Sequence, residues 1–422
     1  MNTVLHRHLV AFCLIAAATI AAPADDWTQW RGPNRDGLVT AAAWPAVLDE
    51  TALKKSWRGE FGPSYSGPVV AGDKVFITES KNDTEEHVYA LDRQTGKQLW
   101  HAQWEGYVKV PFFAKKNGDW IRATPAFDDG RLYVAGMRDH LVCLDAATGK
   151  VIWEKDFVKE LKTPVPDFGF VSSPLVVGDA VYVQAAASFV KLDKLTGEVK
   201  WRSLQDKGGM WGSAFSSPVF VRLAGQDQLV MQSREKLAGI QPETGAVLWE
   251  QPIKAFRGMN ILTPLVHGDR VFTTAYGGQA QQFEISRQGD AFACKESWSV
   301  KAEAYMSSPL LIDGHIYLHL RNQRFVCLDW QTGQQRWESE KKFGQYWSLV
   351  GNGRQILALD EDRKLHLIKA NPEKFELVAS AKVADEESWA YLAVGGDEIF
   401  VRDLKGVTAF KWQVPAAKVT AN

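Results

Sequence analysis

One phrase recurs along this chain and closes on tryptophan each time, so the fold must be assembled from serial copies of a single unit. The first copy runs Leu91-Asp92-Arg93-Gln94-Thr95-Gly96 and ends at Trp100. Further copies place Asp145, Thr148 and Gly149 before Trp153, and Asp193, Thr196 and Gly197 before Trp201. Thr244 and Gly245 precede Trp249, and Asp329, Thr332 and Gly333 precede Trp337. A degraded copy lies around Gly289 and Trp298. Successive tryptophans are 53, 48, 48, 49 and 39 residues apart, the period of a propeller, solenoid or array.

Within a period the signals are strands and tight turns. Apolar runs such as Val88-Tyr89-Ala90-Leu91 flank the Asp-x-x-Thr-Gly step, whose glycine suits a hairpin and whose Asp and Thr can bond nearby amides. A second turn lies upstream, at Gly72-Asp73, Asp129-Gly130, Gly178-Asp179, Gly225-Gln226, Gly268-Asp269, Asp313-Gly314, Asn352-Gly353 and Gly396-Asp397. Before most of these turns a small residue meets proline, as in Thr124-Pro125, Ser173-Pro174 and Ser308-Pro309, and proline is tolerated at a strand's first residue. Four short strands per period, with no amphipathic helix between them, read as the blades of an all-β propeller.

The ends set the blade count. The last unit, from about Trp389 to Phe410, lacks a fourth strand, and Leu53-Lys54-Lys55-Ser56-Trp57 is an orphan strand ending in Trp. Pairing the two closes the ring and removes exposed edges. The expectation is eight four-stranded antiparallel blades over residues 53–415, closed by an N-terminal strand in the last blade. Seven blades is the alternative if the weak unit between Gln345 and Ala384 forms none. Residues 25–52 precede the ring and 416–422 form a tail. The tryptophans Trp57, Trp100, Trp153, Trp201, Trp249, Trp298 and Trp337 are read as packing between blades, because they recur with the repeat.

Arg7 followed by an apolar stretch from Leu9 to Ala22, with Ala22-Pro23-Ala24 as a cleavage site, reads as a signal peptide over residues 1–24. The apolar stretch is too short to remain as a spanning helix, so the expectation is a periplasmic or secreted bacterial protein with no transmembrane segment in the mature chain. Cys13 lacks a small residue before it and is no evident lipoprotein anchor. A net charge of −1 gives no polyanion-binding field, so nucleic acid is not an expected partner. Cys143 and Cys327 fall in blades on opposite sides of an eight-blade ring, beyond the reach of about 7 Å between bridged Cα atoms.

Repeated Asp-x-x-Thr-Gly-x-x-x-Trp resembles the pyrroloquinoline-quinone-type (PQQ-like) propeller repeat, from about Trp57 to Val414. The opening Asp26-Trp27-Thr28-Gln29-Trp30-Arg31-Gly32-Pro33-Asn34-Arg35-Asp36-Gly37 resembles the start of exported bacterial proteins with this repeat. The resemblance implies one of two branches: quinoprotein dehydrogenases, or non-enzymatic scaffolds similar to BamB of the outer-membrane β-barrel assembly machine. The first branch carries an adjacent cysteine pair and a Ca²⁺ held by acidic and amide oxygens. Here no two cysteines are adjacent and no acidic cluster stands out beyond the turns, so neither PQQ nor Ca²⁺ is expected, and no metal site. His315 and His319 lie on one strand roughly 13 Å apart and cannot share a zinc. No Gly-x-Ser-x-Gly elbow is present, and no catalytic residue is assigned.

The remaining feature is the connectors leading into each inner strand, which are long and aromatic. Phe112, Phe113, Trp120 and Arg122 precede the second blade, and Phe168 and Phe170 the third. Trp211 precedes the fourth, Arg257 the fifth, Tyr305 the sixth, Trp347 the seventh and Trp389 the eighth. They should crowd the mouth of the central channel, either as a plug or as a funnel, with Arg122, Arg257 and Lys109 able to anchor an anionic group. The expected function is a non-enzymatic scaffold for envelope or exported proteins, including extended peptide segments. The alternative is a quinone-dependent dehydrogenase or small-ligand binder using the same funnel.

Overall fold

Each Asp-x-x-Thr-Gly step closes its hairpin by the bonds its residues can make. The computed structural model describes residues 26–209 and 215–413. The expected signal peptide, the tail and Trp211 fall outside them. In blade one Asp92 Oδ1 accepts from the Thr95 amide at 2.8 Å and the Thr95 hydroxyl at 2.6 Å, while the Gly96 amide donates to the Asp92 carbonyl. Asp145 with Thr148, Asp193 with Thr196 and Asp329 with Thr332 repeat this geometry. The Thr95 hydroxyl and amide hold the Asp92 carboxyl below its usual range.

These hairpins build eight sheets, so the described residues form an eight-bladed propeller. Seven blades occupy residues 69–105, 126–156, 175–203, 219–252, 265–300, 310–338 and 347–382; the eighth combines 393–412 with the N-terminal strand Leu53–Glu60. That strand runs antiparallel to Gly406–Trp412, with Leu53 opposite Trp412 and Trp57 opposite Ala409. The weak unit does form blade seven, which removes the seven-blade alternative. It gains a fifth strand, Leu38–Val39, parallel to Trp347–Asn352.

The repeated tryptophans fasten one blade to the next. The Trp100 ring, on the outer strand of blade one, lies over the turn of blade two, and its Nε1 donates to the Ala146 carbonyl at 3.0 Å. Trp57 donates to Arg93, Trp153 to Lys194, Trp201 to Pro242, Trp298 to Trp330 and Trp337 to Asn371, each a backbone carbonyl of the following blade. Trp249 departs: its Nε1 donates to Gln228 Oε1 of its own blade. It packs instead with Phe283 and Ile285 across the junction with blade five.

At the channel a second set of links joins the blades. Four of the hydroxyls preceding a proline accept from the preceding blade: the Gly67 amide donates to Thr124 Oγ1 at 3.0 Å, Thr124 to Ser173 Oγ at 2.9 Å and Ser173 to Ser217 Oγ at 3.0 Å. Thr263 donates likewise to Ser308 Oγ.

Residues 26–39 enter the channel and, among the described residues, contact blades one, two and seven and the connectors leading into blades three, five, six and eight. Asp26 accepts from Gly72, Trp27 exchanges two backbone bonds with Val70, and Thr28 accepts from Phe127. Trp30 Nε1 donates to Thr263 Oγ1 at 2.8 Å, and its ring lies 4.7 Å from that of Tyr391. Arg31 donates to the Pro309 carbonyl, Arg35 to Pro174 and Ser173, and Gly37 accepts from Gly351. Because Asp26 meets a turn of blade one and the two arginines reach the Ser/Thr-Pro ring, this segment fills the channel from the turn-bearing face.

Candidate functional site

Four antiparallel strands alternate direction, so each blade puts its ends on two faces. Both repeated turns, first-to-second strand and third-to-fourth, lie on one face. The connectors between blades and the second-to-third hairpins share the other. That second face is the mouth.

Three arcs of rings line it. Phe112, Phe113, Phe168 and Phe215 follow one another at centroid distances of 5.7, 6.2 and 5.8 Å. Phe256, Tyr276 and Tyr305 follow at 5.2 and 5.1 Å. Trp120, Tyr65, Trp389 and Tyr346 follow at 5.3, 5.3 and 6.0 Å. Between the first two arcs lies a cavity of about 280 Å³, whose lining includes Phe113, Phe168, Phe215, Phe256, Tyr276 and Tyr305 together with Val171, Met259, Ile261 and Met306.

Three guanidiniums converge on this cavity, and no carboxylate among the described residues lines it. Arg122 donates to the Gly118 carbonyl at 2.6 Å and sits 5.6 Å from the Tyr65 ring centre; burial draws its pKa below the ordinary value. Arg234 lies 5.9 Å from the Phe215 ring centre and donates to the Arg257 carbonyl. Burial lowers its pKa too, opposed by Asp206, Glu235 and Asp167. The Arg257 guanidinium stands 5.9 Å from the ring centre of Phe113 and 5.2 Å from that of Phe256. Such a site attracts an anion through its guanidiniums and an apolar or aromatic body through its rings.

Of the residues expected at the mouth, Phe113, Arg122, Phe168, Arg257 and Tyr305 line the cavity. Phe112 stands beside them, 89% exposed. Trp120 and Trp389 flank the cavity through Tyr65. Two residues do not belong. Phe170 is buried against Phe157, and Trp347 is buried among His319, Phe325, Phe343 and His366 between blades six and seven. Each lies close to the start of an inner strand, where side chains turn into the wedge between blades. Lys109 is exposed and does not line the cavity. Arg234 and Tyr276 were not anticipated: they sit in second-to-third hairpins, which carry no repeated sequence signal.

The family described as outer membrane protein assembly factor BamB, a PQQ-repeat family, matches residues 39–102 and 84–339. The chain belongs to the BamB family. The BamB of Moranella endobia is 24% identical over 397 residues, covering 88% of this chain and 94% of that one. The crystal structure of BamB from Moraxella catarrhalis superposes with a TM-score of 0.62 at 14% identity, over 86% of this chain and 98% of that one. A quinohemoprotein alcohol dehydrogenase from Comamonas testosteroni superposes at 0.60 with 13% identity, over 94% and 82%. At these identities both structural likenesses speak to the propeller fold, and the BamB family membership rests on sequence.

Proposed function

We propose that this BamB-family protein is a non-enzymatic, exported scaffold that binds envelope or exported proteins at the mouth of its propeller. The observation that carries this reading is the aromatic, arginine-lined cavity on the face free of repeated turns. Aromatic and arginine anchors in a desolvated pocket are the side chains that dominate protein recognition. The leader-like sequence over residues 1–24 supports export to the periplasm, and the names of the relatives support partners in outer-membrane assembly.

A quinone-dependent dehydrogenase is the weaker reading, supported by the fold likeness to the alcohol dehydrogenase. A Ca²⁺ would need clustered oxygen donors, and among the described residues no group of three or more His, Cys, Asp or Glu could hold an ion. That gives a Ca²⁺-dependent PQQ enzyme no support from acidic clusters, and no redox step is assigned. Incubation of the purified protein with PQQ and Ca²⁺ should give neither stoichiometric uptake nor dye-linked alcohol oxidation.

Substitutions at the mouth test the scaffold reading. Phe113→Ala and Phe168→Ala should each weaken capture of envelope partners by about 2 kcal/mol or more while leaving the melting temperature near the parent's. Trp153→Ala, between blades, should instead lose about 3–5 kcal/mol of stability. Mouth variants that unfold as readily as Trp153→Ala would show that the rings are core, and the scaffold surface would lie elsewhere.

A further inference from the structure

Away from the mouth, on the rim of blade seven, we propose that Ser380 is an activated nucleophile, a site at which an acyl donor modifies the protein covalently. The argument starts from strand pairing. His366, on the third strand Lys364–Lys369, stands directly opposite Ser380 on the outer strand Glu376–Lys382. The Val383 amide donates to the Arg363 carbonyl, and alternation along the ladder then makes His366 and Ser380 a non-hydrogen-bonded pair, the kind whose side chains lie closest. The Ser380 hydroxyl meets His366 Nδ1 at 2.7 Å, and His366 Nε2 meets Asp360 Oδ2 at 3.3 Å. Asp360 ends the second strand and accepts from the Gly344 and Asp362 amides at 3.1 and 3.0 Å.

Those contacts place the protons. Burial opposes charge on Asp360, but bonds from His366 and the two amides hold its carboxyl below the ordinary range, so it is an acceptor. Facing that carboxylate, the neutral imidazole carries its hydrogen on Nε2 and turns the Nδ1 lone pair to the serine. A hydroxyl within reach of a base that a third group orients is the arrangement that activates a nucleophile. His366, packed against Phe343 and Trp347, and Asp360 are each 2% exposed, whereas Ser380 is open to solvent. The same alternation turns the Ser380 amide off the free edge of the sheet, where N–H groups have no strand to pair with. A nucleophile's own amide is a donor for the oxyanion of acyl transfer. With an activated aryl ester the step balances. Ser380 Oγ bonds to the carbonyl carbon, its proton passes to His366 Nδ1, the bond to the phenolate breaks, and the imidazolium then gives its proton to that phenolate or to water. The product is an ester on Ser380, and no turnover is required, so the site stands apart from the scaffold role of the mouth.

The test treats the intact mature protein with p-nitrophenyl acetate and follows acetylation of individual serines by peptide mass mapping. Ser297 and Ser299, exposed on the outer strand of blade five and bonded to no histidine among the described residues, are internal references. Ser380 should acetylate about 100-fold faster than either, the low end of what a positioned base supplies. His366→Gln should bring Ser380 down to the reference rate. Asp360→Asn, which frees the ring to take the other tautomer, should slow it by about tenfold or more. Asp360 acts through His366, so a pH profile is its second readout. The parent's Ser380 rate should climb as the imidazolium loses its proton and then level off. Asp360 and His319 are the titratable groups facing that ring, and Lys364 and Lys382 lie beside it on the same face of the sheet. Without the carboxylate the imidazolium is less favoured, so in Asp360→Asn the climb should move to lower pH. A merely structural role would leave its midpoint in place. Circular dichroism melts establish which variants are folded, and the parent's ratio of Ser380 to the reference serines decides the matter if none is. Acetylation of Ser380 no faster than of Ser297 and Ser299, or a Ser380 rate unchanged in folded His366→Gln, would overturn the proposal.

Discussion

Gly149 answers to two constraints at once. Its φ is +74°, and a Cβ there would come within 2.5 Å of the Trp100 ring of the preceding blade. Gly96 against Trp57, Gly197 against Trp153, Gly245 against Trp201 and Gly333 against Trp298 repeat the contact. Gly289, in the degraded copy, has positive φ but open space around it, at the tip of a longer hairpin that runs out to the Gln288–Ala291 pair. The two constraints can therefore be separated. Gly289→Ala should cost about 1–2 kcal/mol for its conformation alone. Gly149→Ala should cost about twice that, since the ring must also move. Urea midpoints at constant slope measure both, and equal losses would mean that the ring contact carries nothing. A second residue-scale prediction concerns acid. Burial pushes the carboxyls of Asp139 and Glu86 up to about 7, against amide bonds from Ala186 and Met137 that oppose the rise. A carboxyl raised in the fold adds stability below its ordinary pKa and loses it as pH climbs through the folded value. Asp139→Asn keeps an acceptor and suits the left-handed backbone at this position, φ 56°. Relative to the parent it should gain roughly 2–4 kcal/mol between about pH 4 and 8. Melting curves across that range check it, and a constant difference would contradict the buried-acid account.

At the scale of the strand, the orphan segment ending at Trp57 is the piece on which closure depends. Leu53–Glu60 supplies the outer strand of blade eight, and Trp57 reaches the Gly96 turn of blade one. Deleting residues 26–60 should leave blade eight with an unpaired edge and give aggregates by size-exclusion chromatography. Deleting only 26–39 removes the channel segment but keeps the closing strand. That shorter variant should stay monomeric with a lowered melting temperature. Should the two deletions behave alike, the closing strand would not be what holds the ring. Blade seven shows why pattern alone left its existence open. It lacks the tryptophan phrase, and Asn371 and Phe375 take over: Asn371 accepts from Trp337 Nε1, and Phe375 packs against its ring at 5.6 Å. The contact survives with different residues, so a search for the phrase misses it.

Across the whole molecule, the two faces differ in how much sequence says about them. Turn residues recur because every blade must reverse direction and lie against its neighbour's tryptophan, and both demands are local or one period apart. Repeat, strands and turns were legible for that reason, and eight blades with a closing N-terminal strand because the last unit lacks the fourth strand that the orphan segment ending at Trp57 supplies. The mouth was legible in part. Aromatic connectors signalled where a site could be, and five of their residues do line one cavity. Sequence could not say that Phe170 and Trp347 turn into the wedges between blades, because a connector's position leaves the direction of its side chains open. Nor could it bring Arg234 of blade four and Tyr276 of blade five beside Arg122, which lies over one hundred residues earlier. The role of residues 26–39 was likewise hidden, since its partners are spread around the ring from Val70 to Tyr391. Sequence by itself determined the periodic unit, since that unit is specified by contacts within one period. Only the closed ring decided which aperiodic side chains meet at its mouth and what fills its channel, since those contacts arise when distant blades are brought around a common axis.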